Sequence, residues 1–234
     1  MWDNAPLLRN IANTLFFLSA LAVFYGGMHY LVHMPGLLPV KVVRLSNAPE
    51  RVVADDVQSM LRAQVHGNFF TVDIDQLRGM LEKLPWVRNV SIRREFPDKL
   101  LVSFEEHKAV AHWNDIALVN QQGEVFEAES TVVLPDFFGT EGTSPEVLKQ
   151  FANFSGQLAP LHLGVMQLVL STRHAWQLHL SNNIVVELGR EAMQQRLARF
   201  IAVYPYIMAQ PTARDIQVVD MRYRDGFAVR LRPA

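Results

Sequence analysis

Cysteine is absent from the 234 residues of this chain. Its absence excludes disulfide bonds, zinc sites built on cysteine thiolates and catalysis by a thiol nucleophile. An excess of charge is absent as well, because 22 lysine and arginine residues stand against 23 aspartate and glutamate residues. Proteins that bind nucleic acid normally present a strongly basic surface, so the balanced charge argues against nucleic acid as a partner.

Charged residues are missing from one long segment near the start of the chain. The 22 consecutive residues from Ile11 to Val32 include no aspartate, glutamate, lysine or arginine. As an α-helix this segment would measure about 33 Å, which is enough to cross the roughly 30 Å hydrocarbon core of a bilayer. We therefore predict a transmembrane helix over residues 11–34, preceded by a stub of residues 1–10, and expect the lipid bilayer as a partner.

A cleaved signal peptide is the alternative interpretation of this segment. Arg9 supplies a minimal positive start, and residues 20–22 match the small-residue cleavage pattern. The apolar run continues for ten residues beyond that pattern, to Val32, which favours an uncleaved anchor. The positive-inside rule does not fix the orientation, since basic residues flank the segment on both sides, with Lys41 and Arg44 after it.

Residues 38–107 show the pattern of a small β-α-α-β-β domain. A short strand covers Val40 to Leu45, and an amphipathic helix is expected over residues 53–65. A second helix should begin after Asp73, whose partner in a capping box lies three residues on, and end near Pro85. Residues 90–104 alternate in polarity around a central turn, which predicts a hairpin. Two helices would thus cover one face of a three-stranded sheet.

Residues 108–234 are expected to form a mixed β-sheet domain with one long helix. Polarity alternates with a period of two over most of the segment, and residues 146–159 hold a shorter helical pattern. The long helix is expected from about Arg190 to Met208, where the apolar residues follow helical spacing. Together the patterns predict an α+β fold with a single N-terminal transmembrane helix.

The last predicted strand, Phe227 to Leu231, is expected at or near a sheet edge because only three residues follow it. An edge strand has free N–H and C=O groups that can pair with a strand from another protein. The alternative is an internal strand with Phe227, Val229 and Leu231 in the core. The residues alone leave both interpretations open.

Short motifs are spread along the chain after the apolar segment: Gly67–Asp73, Leu84–Val87, Val90–Arg94, Phe96–Leu100, Glu105–Trp113, Leu188–Arg190, Arg196–Phe200 and Val219–Tyr223. Their order and spacing resemble the FtsQ/DivIB family of bacterial cell-division proteins. The β-α-α-β-β unit resembles the POTRA domain of that family. The resemblance extends from the apolar segment to the end of the chain.

The resemblance implies a bitopic protein of the inner membrane, with a cytoplasmic N-terminus and a periplasmic body, acting at midcell during septum formation. It implies a scaffold that recruits and positions the FtsB–FtsL pair, without catalysis, cofactor or metal. The POTRA-like domain would contact other division proteins. The C-terminal domain would bind FtsB by adding a partner strand to its last strand.

The residues that match the partner-binding motif of the family are Tyr223, Arg224, Asp225, Gly226, Phe227, Ala228 and Val229, with Leu231 completing the strand. Family members carry a tryptophan at the position of Leu231, so Phe227 is expected to take more of the aromatic contact here. Arg190 and Arg196 flank the start of the long helix. They are expected at the surface, and would be rim contacts if the helix begins near the last strands.

Two further classes of protein are alternatives to the scaffold. A periplasmic envelope enzyme would need a set of catalytic residues. The sequence holds no G-x-S-x-G, H-E-x-x-H or Walker motif. A catalytic triad whose residues are dispersed along the chain would not be detected by such motifs. An outer-membrane assembly factor with POTRA units would need a long C-terminal barrel of strands about 10 residues long. A segment of residues 108–234 with a long amphipathic helix does not supply one.

A basic cluster near the predicted hairpin also has two interpretations. Arg88, Arg93, Arg94 and Lys99 lie close together in the sequence. They either form a solvated face or contact anionic lipid headgroups or an acidic partner.

Overall fold

The computed structural model describes residues 5–34, 36, 38–40, 42–46, 50–51, 57, 59–61, 65 and 67–232. The chain is α+β, and it divides into two compact units, Met1–Glu106 and His107–Ala234. The first unit holds the N-terminal helix and a small sheet domain, and the second holds a large mixed sheet.

Helix α1 (Ala5–His33) is 29 residues long, or about 43 Å. Within the described part of the chain, it is the one helix long and apolar enough to cross a membrane. It begins at Ala5 rather than at Ile11, so residues 5–10 of the predicted stub are helical. Pro6 lies in the first turn, where its missing N–H removes no helical hydrogen bond. None of the α1 residues is buried within the protein, as expected of a helix whose apolar surface meets lipid.

The small sheet consists of β1 (Val42–Leu45), β2 (Val87–Glu95) and β3 (Lys99–Glu106), in the order β1-β3-β2. Strands β2 and β3 form the predicted antiparallel hairpin, and β1 runs parallel to β3. This arrangement confirms the strand part of the β-α-α-β-β prediction.

Helix α2 (Ile74–Leu81) packs against the small sheet. The carboxylate of Asp73 accepts a hydrogen bond from the backbone N–H of Gln76 at 2.9 Å, which confirms the predicted N-cap. The predicted helix over residues 53–65 lies largely outside the described residues, but residues 57 and 59–61 are helical. The core that joins these helical residues to the sheet contains Val57, Leu61, Leu77, Leu81, Val90, Leu100, Val102 and Phe104.

The large sheet has nine strands: β4 (Ala109–Trp113), β5 (Ala117–Asn120), β6 (Val125–Phe126), β7 (Asp136–Phe138), β8 (Val165–Leu170), β9 (Trp176–Leu180), β10 (Val185–Gly189), β11 (Ile216–Asp220) and β12 (Ala228–Leu231). Their order is β12-β11-β10-β9-β8-β7-β4-β5-β6. Strand β7 is parallel to β4 and β8, and β10 is parallel to β11, while the other pairs are antiparallel. The sheet is therefore mixed, as predicted.

Two helices pack on this sheet, α3 (Ser144–Leu158) and α4 (Met193–Met208). Helix α4 is the predicted long helix, but α3 is almost as long, with 15 residues against 16. Helix α4 connects the parallel strands β10 and β11, and its Leu197 and Phe200 are fully buried in the common core with Val186 and Val219. The burial of these residues holds α4 beside the last strands of the sheet.

Candidate protein-binding edge

Strand β12 is at one end of the nine-stranded sheet. Among the described strands it pairs with β11 alone, with Val229 opposite Val219 and Ala228 opposite Asp220. All four of its residues are exposed. The prediction of an edge strand is therefore confirmed, and the outer side of β12 presents backbone groups that a further strand could pair with.

The apolar side chains of β12 and of the residue before it line a groove. Phe227, Val229 and Leu231 follow the alternation of a strand and are 38, 40 and 42% exposed, so the interpretation that places them in the core is wrong. The groove has a volume of about 450 Å³, and its walls are Val203, Tyr206, Ile207, Gln210, Thr212, Ile216, Phe227, Val229 and Leu231. Helix α4 thus supplies one wall and the edge strand the other.

The loop that leads from β11 into β12 is held by Arg199 of α4. Its guanidinium donates hydrogen bonds to the carbonyl oxygens of Met221 at 3.0 Å, Tyr223 at 2.8 Å and Arg224 at 2.6 Å. Sequence reasoning did not select Arg199, although it follows Arg196 by three residues and so shares its helix face. This side chain fixes the course of the backbone just before the edge strand.

Arg196 has a supporting role of the same kind. Its guanidinium donates to the carbonyl oxygens of Leu188 at 2.7 Å and Arg222 at 3.2 Å. The side chain is half-buried, which corrects the expectation of a surface residue. Gly189 makes this approach feasible: its φ is +72°, and a Cβ there would lie 2.8 Å from Nη1 of Arg196.

Arg190 lies at the surface, as expected. Its side chain is 70% exposed, and its Nε is 3.3 Å from a carboxylate oxygen of Glu191. An ion pair of this exposure contributes little to stability. Arg190 is therefore available for contact with a partner, whereas Arg196 is engaged with the backbone.

An ionic network joins three elements next to the edge. Arg222 donates to both carboxylate oxygens of Asp220, at 2.9 and 2.6 Å, and also lies 2.9 Å from a carboxylate oxygen of Glu187 on β10. The hydrogen bond from Arg222 lowers the pKa of Asp220 below its ordinary value, against the opposing effect of burial. The same hydrogen bond raises the pKa of Arg222. Both groups therefore stay charged, and the charge-assisted bonds tie the end of β11 to β10.

The remaining predicted residues form the connection between β11 and β12. Tyr223 is 57% exposed, Arg224 and Asp225 are exposed, and Gly226 is half-buried. Ala228 is on the strand face opposite to that of Phe227 and Val229. The structure thus brings the predicted motif together as one continuous surface: an exposed loop, an open strand edge and the wall of an apolar groove.

Comparison with known proteins agrees with this architecture. Residues 111–222 match the family model described as cell division protein FtsQ/DivIB, C-terminal. Residues 38–107 match the model described as POTRA domain, FtsQ-type. The second match covers the small sheet, and the first covers the large sheet from within β4 to the end of β11, before strand β12.

Relatives match over almost the whole chain. The cell division protein FtsQ of Nitrosospira multiformis is 40% identical over 235 residues, which covers 98% of this chain and 99% of the relative. That of Burkholderia pseudomallei is 36% identical, over 98% of this chain and 94% of the relative, and that of Escherichia coli is 34% identical, over 95 and 85%. The chain therefore belongs to the FtsQ/DivIB family of cell division proteins.

Proposed function

We propose that this protein is a non-enzymatic scaffold of the division machinery that recruits and positions the FtsB–FtsL pair during septum formation. Helix α1 would span the inner membrane once, with residues 1–10 at its cytoplasmic end and the two sheet domains in the periplasm at midcell. The observation that carries the proposal is the open edge of β12 beside an apolar groove.

The edge supports binding by strand addition. In an edge strand, alternate residues direct their N–H and C=O groups toward the neighbour strand and away from it, so β12 has a free set on its outer side. A partner strand from FtsB would use this set for backbone hydrogen bonds, which supply affinity with little dependence on side chains.

The groove supports selection of the partner sequence. Phe227, Val229 and Leu231 are on one face of the edge, and the incoming strand would continue that face. Apolar side chains at alternate positions of the partner would then lie over the groove and meet Tyr206 of α4. We infer that the bound FtsB segment has apolar residues two positions apart.

The chemistry of the groove favours binding over catalysis. Among the described residues that line it, none is a carboxylate, a histidine or a lysine. General acid–base catalysis most often uses such groups, and the hydroxyl of Tyr206 is the one titratable group among the described lining residues. The groove thus offers area and shape to a partner.

Proline substitutions at two neighbouring positions of β12 test strand addition. Of Ala228 and Val229, one directs its N–H toward β11 and the other directs it outward, since their backbone groups alternate. Ala228→Pro and Val229→Pro therefore form a matched pair: one removes a bond of the ladder and lowers stability, while the other removes a bond to the partner.

The pair should be compared in full-length protein in nanodiscs, with circular dichroism for folding and titration with the purified FtsB–FtsL pair for affinity. We expect one variant that keeps its stability and loses affinity. If both variants are folded and bind as tightly as the original protein, strand addition at β12 is refuted.

A further inference from the structure

The end of α1 is joined to the small sheet domain by the side chain of Asn68. This side chain is fully buried, and its Nδ2 donates to the carbonyl oxygens of Val32 at 2.5 Å and Met34 at 3.1 Å. Carbonyl groups at the C-terminal end of a helix have no partner within the helix, so Asn68 supplies one from another part of the chain. Its Oδ1 accepts from the N–H groups of Phe70 and Thr71 at 2.9 and 3.0 Å.

This junction determines which part of the domain lies at the membrane. The apolar stretch of α1 ends at Val32, so a bilayer around α1 would end at about that residue. Because Asn68 contacts the carbonyl group of Val32, the loop from Asn68 to Thr71 lies where the helix leaves the bilayer. Phe69 reinforces the junction, since its N–H donates to the carbonyl oxygen of Leu38 at 2.9 Å.

The tip of the β2–β3 hairpin is at the same end of the domain. Strand β1 follows α1 directly and runs parallel to β3, with Val42 opposite Lys99. The N–H of Val42 also donates to the carbonyl oxygen of Asp98 in the hairpin turn, at 3.4 Å. The turn is therefore beside the start of β1, close to the end of α1.

Aromatic side chains connect the loop to the hairpin tip. The ring of Phe69 is buried and makes edge contacts with Phe70 and Phe96, at centroid distances of 5.3 and 5.9 Å. Phe70 is 47% exposed and Phe96 is 72% exposed. Two exposed phenylalanine rings that pack against the same buried ring are unfavourable in water, and the interface of a bilayer is an environment that accepts them.

Basic side chains flank the exposed rings. Arg94 donates to the carbonyl oxygens of Val72 at 2.9 Å and Phe70 at 3.5 Å, and both Arg93 and Arg94 are exposed. Glu95 and Lys99 are opposite each other in the hairpin, so their charges offset one another, and Asp98 in the turn leaves a net charge of about +1 for this tip with Arg93 and Arg94. Arg94 is bonded next to Phe70, and the exposed Arg93 is beside it at the same end of β2 but on the opposite face, so both are at the depth expected for the phosphates of lipid headgroups.

We infer that Phe70 and Phe96 insert into the leaflet at which α1 leaves the bilayer, with Arg93 and Arg94 at its anionic headgroups. The inference rests on the proposed membrane anchoring by α1. The hairpin would then be a second attachment to the membrane, and Asn68 would keep the domain from rotating freely about the helix end.

The absence of cysteine makes the test direct, because a single introduced cysteine takes a label at one known position. Phe96→Cys, in the full-length protein, is labelled with an environment-sensitive fluorophore and reconstituted into vesicles of phosphatidylethanolamine and phosphatidylglycerol. Asn89→Cys is the matched control: Asn89 is exposed on the same hairpin, about 20 Å from the tip at the rise of a strand. Adding lipids with a nitroxide on the acyl chain measures contact with the leaflet.

We expect a blue-shifted emission at position 96 that the nitroxide lipids quench, and an unshifted, unquenched emission at position 89. If the nitroxide lipids do not quench the label at position 96, the inference is overturned. This holds for the emission of a water-exposed label and also for a blue-shifted emission, which contact with protein would then explain. Flotation of the same vesicles reports anchoring by α1 separately. Protein that floats with a water-exposed label refutes the hairpin contact alone, and protein that does not float refutes both.

Asn68→Ala tests the junction in the labelled Phe96→Cys protein. The substitution removes both donors to the end of α1, and we expect the quenching at position 96 to decrease while flotation is unchanged. Undiminished quenching in a variant that is folded by circular dichroism would refute the role of Asn68.

Discussion

The Nη1 atom of Arg199 donates a hydrogen bond to the carbonyl oxygen of Arg224 at 2.6 Å. A side chain on α4 therefore fixes the backbone that leads into the open edge strand. The other terminal nitrogen of Arg199 donates to Met221 and Tyr223, so one planar group serves three carbonyl groups of the same loop. A lysine carries a single nitrogen and cannot reproduce this fork.

Arg199→Lys should consequently loosen the loop. We expect the free energy of unfolding to decrease by about 1–3 kcal/mol, as for lost hydrogen bonds to a charged group, together with weaker binding of FtsB. Urea denaturation and titration with the FtsB–FtsL pair measure the two effects. Arg190→Lys is the control, because Arg190 is exposed and, among the described interactions, contacts only the side chain of its neighbour Glu191. The stability of this control variant should equal that of the original protein. Equal stability of both variants would contradict the role of Arg199.

Gly189→Ala should destabilise the second unit. The residue has a φ of +72°, and its added Cβ would lie 2.8 Å from Nη1 of Arg196 and 3.1 Å from Cγ of Arg222. Because alanine is strained at a positive φ and its Cβ would be too close to both arginine side chains, we expect the free energy of unfolding to decrease by at least about 1 kcal/mol. Thermal and urea denaturation would show this.

Gly156→Ala provides the control for this substitution. Gly156 is in the interior of α3, and a Cβ there would meet nothing within 4 Å. Alanine favours a helix over glycine, so this variant should gain up to about 1 kcal/mol. If the Gly189→Ala protein also gained stability, the close approach of Arg196 would not prevent a Cβ at position 189.

Phe227→Ala should weaken FtsB binding if the groove receives the partner. Truncating an aromatic anchor at the centre of an interface typically costs about 1–3 kcal/mol of binding free energy. Ile116→Ala is the control, since Ile116 is 82% exposed in the turn between β4 and β5, toward the opposite end of the sheet order. Isothermal titration with the FtsB–FtsL pair should separate the two variants, and equal affinities would count against the groove.

The stability of the second unit should depend on the protonation of His179. Burial lowers the pKa of this residue, which is on β9 opposite Gln167 and Val185, below its ordinary value of 6.5. The unfolded chain then binds the proton more readily than the folded one. The free energy of unfolding should therefore fall as the pH decreases from above 6.5 toward the folded pKa, and stop falling below that value.

His179→Gln should remove this part of the pH dependence. Urea denaturation at a series of pH values compares the variant with the original protein, and a titration followed by nuclear magnetic resonance reports the pKa of His179 directly. A His179 ring that titrates at or above 6.5 in the folded protein would contradict the expectation.

Periodicity in the sequence predicted the elements that bury one face. The β2–β3 hairpin and the long helix α4 follow such patterns, and both lie near their predicted bounds, while the exposed edge strand β12 was predicted from its alternation and its place in the chain. Strand β7 has only three residues, which is too short for alternation to be distinguished from chance. Its place in the sheet depends on pairing with β4 and β8, which the local sequence does not encode.

The contacts that shape the candidate site were less accessible to sequence reasoning. Arg196 and Arg199 bond to backbone atoms up to 26 residues away, and no local pattern reports a carbonyl group as a partner. Arginines are usually exposed, so the expectation of a surface residue suited Arg190, which precedes the helix, and was wrong for Arg196 within it. The groove likewise depends on the packing of α4 beside β12, which exists only in the folded protein.

The shortness of the strands at the two ends of the large sheet bears on aggregation. Strand β12 has four residues and β6 has two, so a second copy of this chain would gain few backbone hydrogen bonds at either end. Arg230 lies within β12 and Arg232 follows it, and the strand carries no acidic residue. Two copies of β12 laid side by side would bring like charges together, which disfavours uncontrolled growth of the sheet between identical molecules.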